Sequence, residues 1–184
     1  MTNSLQGNLL VASLANEGTV MARTVLLVLQ HSDEGTYGVI LNRPAKPEMR
    51  EIWKKITGDP AIAQPRLALG GTKGGPVIAL HHSEFHSEFN VEGNLHLSRS
   101  ADNLKHLARE RNQLFKIFLG IVEWKPGELE EQIEFGRWYV TESDNRDILG
   151  DVELLWEESI CECGDQLWRE LLGRSSLEFN GELN

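Results

Sequence analysis

The chain has 184 residues, 40% of them hydrophobic and 25% charged, which suits one compact unit with an ordinary globular core. Its 28 acidic side chains outnumber 18 basic ones for a formal charge of -10, a surface that repels phosphate backbones and argues against direct nucleic-acid or anionic-membrane binding. Two cysteines, Cys161 and Cys163, frame no disulfide scaffold, and the longest apolar run, Val25 to Leu29, is too short to span a bilayer. The opening MTNSLQGNLLVASLANEG places no basic residue ahead of its apolar patch and does not read as a signal peptide. The expected setting is the cytoplasm.

Residues 9–14 and 24–30 are short apolar runs bounded by polar or glycine-containing segments, and read as strands. TYGVILN (36–42) follows the turn-like HSDEG and stops at Arg43-Pro44. Continuous apolar character, in place of clean alternation, predicts strands covered on both faces. A helix is expected next, with Pro47 in its first turn, Met49, Ile52, Trp53 and Ile56 on one face, Lys54 and Lys55 toward its end and Gly58 as its stop. Strands are expected at 66–69, 76–82 and 91–97, and Ser100 caps a helix with the stripe Leu104, Leu107 and Ala108. LFKIFLGIV (114–122) predicts a central strand. Pro126, Glu128, Glu130 and Glu131 open a short helix holding Leu129 and Ile133, and RWYVT (137–141) reads as another strand. From 152 to 172, Trp156, Ile160, Cys163, Leu167 and Leu171 recur at helical spacing, with Gly164 read as a junction of two helices. The interleaving predicts an α/β fold (in the α+β range), a single domain over 1–173 with a mixed β-sheet flanked by helices, and a flexible C-terminal tail over 174–184.

The segment HHSEFHSEF (81–89) raises the question of a metal site. In a strand, His81 and His82 point to opposite faces and cannot readily share an ion, so the segment reads as a polar connection with Phe85 and Phe89 tucked inward, and no metal is expected. LGGTKGGPV (69–77) carries two Gly-Gly pairs and Lys73, but leads into a strand, unlike a phosphate-binding loop that opens a helix. Cys161 and Cys163 lack redox spacing, and Cys163 falls on the apolar stripe as a core residue. No nucleophile-elbow pattern supports a catalytic triad. What remains is a ligand-binding candidate: Arg23 opens one strand, Asn42 and Arg43 end another, and Gly70 and Gly71 follow a third. Two guanidiniums beside glycine amides suit a carboxylate or phosphate.

The ordered phrases GNLLVAS (7–13), ARTVLLVLQHSDEGTYGVILNRP (22–44), LGG (69–71), VIALH (77–81), LSRSADNLKHLA (97–108), LGIVEWKPGELEEQIEFGRW (119–138) and DILGDVELLWEESI (147–160) resemble the AlgH/YqgE family of small bacterial proteins. The resemblance covers roughly 7–164. Where that family usually has Gly-Gly-Pro-Val, this chain has Gly70-Gly71-Thr72-Lys73 and a second Gly-Gly-Pro afterwards. The resemblance implies an α/β domain with a mixed sheet, no established cofactor and no agreed catalytic residues. It also implies a regulatory role, since members carry the label of transcriptional regulators. The functional expectation is a non-enzymatic regulatory or adaptor protein acting through a protein partner or a small anionic ligand. The alternative is a nucleotide- or anion-binding protein, or an enzyme, using Arg23, Asn42, Arg43 and the Gly70-Gly71 loop.

Overall fold

Every residue of β1 (Leu9–Ala12) is buried, because successive side chains enter two different cores. A computed structural model describes residues 4–44, 51, 53–55, 58, 66–72, 74–110, 114–143, 148–150 and 152–179, with side chains to 169. Leu9 and Val11 face a core shared with Val25, Leu27 and Leu29 of β2 (Val25–Ser32) and Val39 of β3 (Gly35–Ile40). Leu10 and Ala12 join Leu26, Val28 and Ile40 in a second core on the opposite face. The continuous apolar runs are thus explained by burial on both sides.

These strands belong to an antiparallel sheet in the order β10-β1-β2-β3-β9, with β9 at Val122–Trp124 and β10 at Trp138–Thr141. A second sheet has the order β4-β8-β5-β7-β6. Its strands are β4 (Arg66–Leu69), β5 (Val77–His81), β6 (Phe89–Glu92), β7 (Leu95–Ser98) and β8 (Phe115–Leu119). Only β4 and β8 run parallel in it, so this is the mixed sheet that the sequence predicts, accompanied by an antiparallel one. The two sheets meet through the shared core, where Ala68, Ile78, Leu80 and Phe118 oppose the side chains of β1 to β3.

Helices close the outer faces. α1 (Ala101–Arg109) lays Leu104, Leu107 and Ala108 over Ala79 and Ile117 of the mixed sheet, with Trp53 beside them. Ser100 caps it, accepting a hydrogen bond from Asn103 N at 3.4 Å. α2 (Glu128–Glu134) buries Leu129 on the antiparallel sheet. α3 (Leu155–Phe179) places Trp156, Ile160 and Cys163 against the inter-sheet core, and Trp156 Nε1 donates to Ala12 O at 2.8 Å. No helix among the described residues is long and apolar enough to cross a membrane.

Several expected boundaries change. The strand expected at 91–97 is a hairpin of β6 and β7, because Gly93 at φ 53° supplies a tight turn. The run 114–122 is split between the two sheets: Gly120, at φ 80°, lets the chain leave β8 and enter β9. Gly164 does not divide the last helix, which continues to Phe179. Phe85 is 91% exposed, against the expectation that it tucks inward; a 3-10 turn over Glu84–His86 turns His86 inward in its place. The helix expected after Pro47 lies largely outside the described residues, of which Glu51 and 53–55 are helical.

Candidate functional site

The hairpin of β2 and β3 brings residues 23–25 and 42 together at one end of the antiparallel sheet. Asn42 seals that end: its Oδ1 accepts from Val25 N at 3.0 Å, and its Nδ2 donates to Arg23 O at 2.9 Å. Just beyond, Arg43 O accepts from Leu69 N at 3.0 Å and Pro44 bridges Ala68, tying the segment to β4 of the other sheet. The Arg43 side chain donates to Val20 O, and its partial burial lowers its pKa without removing its charge.

Beside Arg43 a cleft of about 400 Å³ opens, lined by Asn42, Arg43, Arg66, Lys116 and Glu153 among others. Arg66 and Lys116 are direct neighbours across the parallel β4–β8 ladder, so their side chains leave on one face. Lys116 is 3% exposed and donates to Leu41 O at 3.2 Å; Arg66 Nη1 donates to Leu149 O at 3.2 Å. These carbonyls orient the two side chains, and the Lys116 ammonium also lies 5.6 Å from the centre of the Phe118 ring.

The five residues singled out in the sequence divide. Asn42 and Arg43 line the cleft. Arg23 does not line it: its carbonyl accepts from Asn42, and its guanidinium stands 5.5 Å over the Trp156 ring and 3.9 Å from Glu17. Gly70 and Gly71 form the seam between the sheets. Gly70 donates to Leu119 O at 2.9 Å and its carbonyl accepts from Ile40 N at 2.8 Å, so its amide is committed within the fold. Gly71 backs onto Ile121, and Lys73 lies outside the described residues. The sequence reading missed Arg66 and Lys116. One signal was present: Lys116 stands inside an otherwise apolar strand, where an isolated charge needs a partner.

The histidines of 81–89 are engaged elsewhere. His81 is fully buried and bonded to Ser98 Oγ at 2.9 Å, while the exposed His82 meets Asn94 O at 3.0 Å. His86 stacks on His106 and pairs with Glu110 at 2.9 Å. The described residues contain no group of three or more His, Cys, Asp or Glu placed to hold a metal ion.

A family model described as DUF179, AlgH-like, matches residues 9–168. The chain belongs to the AlgH-like family. This AlgH-like chain is 31% identical to a UPF0301 protein of Streptomyces avermitilis, with 96% of this chain and 90% of that one covered. It is 33% identical to the UPF0301 protein SCO2948 of Streptomyces coelicolor, over 94% and 87% of the two chains. The fold matches the solution structure of the AlgH protein from Pseudomonas aeruginosa with a TM-score of 0.64 at 23% identity, covering 91% and 90%. It also matches the crystal structure of protein DIP2367 from Corynebacterium diphtheriae, with a TM-score of 0.58 at 24% identity over 80% and 85%. At these identities the two structures establish the AlgH-like fold alone. The cleft of Arg43, Arg66 and Lys116 is described from this chain's own residues.

Proposed function

We propose that this AlgH-like protein is a non-enzymatic regulatory or adaptor protein of the cytoplasm that binds a small anionic ligand, a carboxylate or phosphate, in the cleft of Asn42, Arg43, Arg66 and Lys116. The observation that carries this reading is the direct pairing of Arg66 with Lys116 across β4 and β8, with Arg43 beside them, in a protein of net charge -10. Clustered cations on paired strands offer a preorganised, charge-assisted set of donors. The regulation of transcription implied by the family label would then act through ligand or protein contacts and not through DNA. Isothermal titration with inorganic phosphate and with succinate tests this. Saturable binding is expected, weakened by about tenfold or more in Arg66→Ala and in Arg43→Ala with little change in Tm. Equal heats from the native protein and both variants, or none from any of them, would overturn the proposal.

A further inference from the structure

A second cleft, of about 510 Å³, lies at the end of the antiparallel sheet where β9 and β10 begin, and it shares no lining residue with the basic cleft. Its frame is held rigidly. Gln132 Oε1 accepts from two indoles at once, Trp124 Nε1 at 3.2 Å and Trp138 Nε1 at 2.9 Å, and Gln132 Nε2 reaches Glu128 Oε1 at 3.5 Å. The carbonyl of Arg137 accepts from Ser13 N at 3.0 Å and from Asn16 Nδ2 at 2.5 Å, which fixes the backbone from which its side chain leaves. Asn16 is itself 2% exposed. The Arg137 guanidinium has neither an ion pair nor a hydrogen bond among the described residues, and the same holds for the Glu123 carboxylate. Glu128 accepts from Lys125 N at 3.0 Å with one oxygen and from Gln132 with the other, and no cationic side chain pairs with it among the described residues. Gly74, which also lines the cleft, leaves room, since a Cβ there would meet nothing within 4 Å, whereas one on Gly75 would lie 3.0 Å from Gly120 Cα.

We infer that this cleft binds a small α-amino zwitterion, an amino acid or dipeptide, with its carboxylate on Arg137 and its ammonium on Glu128, which Gln132 ties to the Trp124 and Trp138 side of the cleft. A simple anion would satisfy Arg137 but face Glu128, and a simple cation would satisfy Glu128 but face Arg137. A molecule carrying both charges complements both groups, and a few placed polar groups of opposite sign are what orient a ligand in a pocket of this size. The Trp124 wall and the open space at Gly74 accommodate a small apolar side chain.

The test uses the full chain labelled with nitrogen-15 and three probes: alanyl-alanine, its N-acetyl derivative and its C-terminal amide. Binding is followed at the indole N–H resonances of Trp124 and Trp138, whose shared acceptor Gln132 lines the cleft. Alanyl-alanine should move both resonances to saturation, and blocking either terminus should weaken binding by about tenfold or more. In Arg137→Ala the free acid and the amide should bind alike, because the group that distinguishes them is gone. In Arg66→Ala alanyl-alanine binding should be unchanged, which separates this site from the basic cleft. Equal affinity of the three probes for the native protein, or no movement of the two indoles up to about 10 mM, would overturn the inference.

Discussion

His81 shows how much one side chain can hold. Its Nδ1 accepts from Ser83 N at 3.2 Å, so the neutral ring must carry its proton on Nε2, donating to Ser98 Oγ at 2.9 Å. The Ser98 hydroxyl passes the chain on to His86 O. Protonating Nδ1 would break the first link. Burial, followed by the charges of His96, His86 and His82, lowers the His81 pKa to about 4. An unfolded histidine takes up its proton near pH 6.5, so the neutral form favours the fold fully above that value. The advantage shrinks as pH falls from about 6.5 to about 4 and is gone below. The loss should amount to about 3 kcal/mol at most, read from urea unfolding at stepped pH. His81→Gln, which cannot titrate, should flatten this part of the profile. An unchanged slope in that variant would show that other groups set the acid response.

At the scale of elements, the glycine pair earns its place through close packing and not through ligand contact. A Cβ on Gly70 would lie 2.5 Å from Gly120 O and 2.6 Å from Val39 Cγ2, and one on Gly71 would collide with the Ile121 backbone. The seam therefore joins the two sheets only if both positions lack a side chain. Gly70→Ala and Gly71→Ala should each destabilise by roughly 1–3 kcal/mol, the usual range for overpacking. Gly74→Ala, farther along the same loop, meets open space and should change stability by less than about 0.5 kcal/mol. Thermal or chemical unfolding of the three variants checks this, and equal losses at all three would contradict the packing argument. α3 makes the complementary point. A glycine within a helix costs about 1 kcal/mol against alanine, yet Trp156, Ile160 and Cys163 dock the helix firmly enough for it to continue through Gly164.

For the whole molecule the governing facts are two packed sheets between helices and a net charge of -10. Long-range repulsion from such a surface opposes a phosphate backbone, while three cations gathered in one recess still suit a small anion that fits inside it. Fluorescence anisotropy with duplex DNA at physiological salt should therefore give only weak binding without sequence preference. Sequence-selective binding near ~10⁻⁸ M would reverse that expectation and return the family's regulatory label to direct DNA contact.

Local pattern was enough to locate most strands, the capped helix α1, the short acidic helix α2 and, in α3, the docking residues Trp156, Ile160 and Cys163, though Leu167 of the same expected stripe is 43% exposed. Periodicity and capping report burial and chain direction within a few residues, and those elements depend on little else. The same pattern is silent about partners. Whether β8 and β9 share a sheet turned on one glycine, Gly120, and on the packing of the seam against it. Arg66 and Lys116 became a candidate site only because β4 and β8 pair in parallel register, a contact between segments far apart in the chain. Side-chain spacing along one strand contains no information about which strand lies beside it; the packing of two sheets against each other decided that, and with it the position of the cleft.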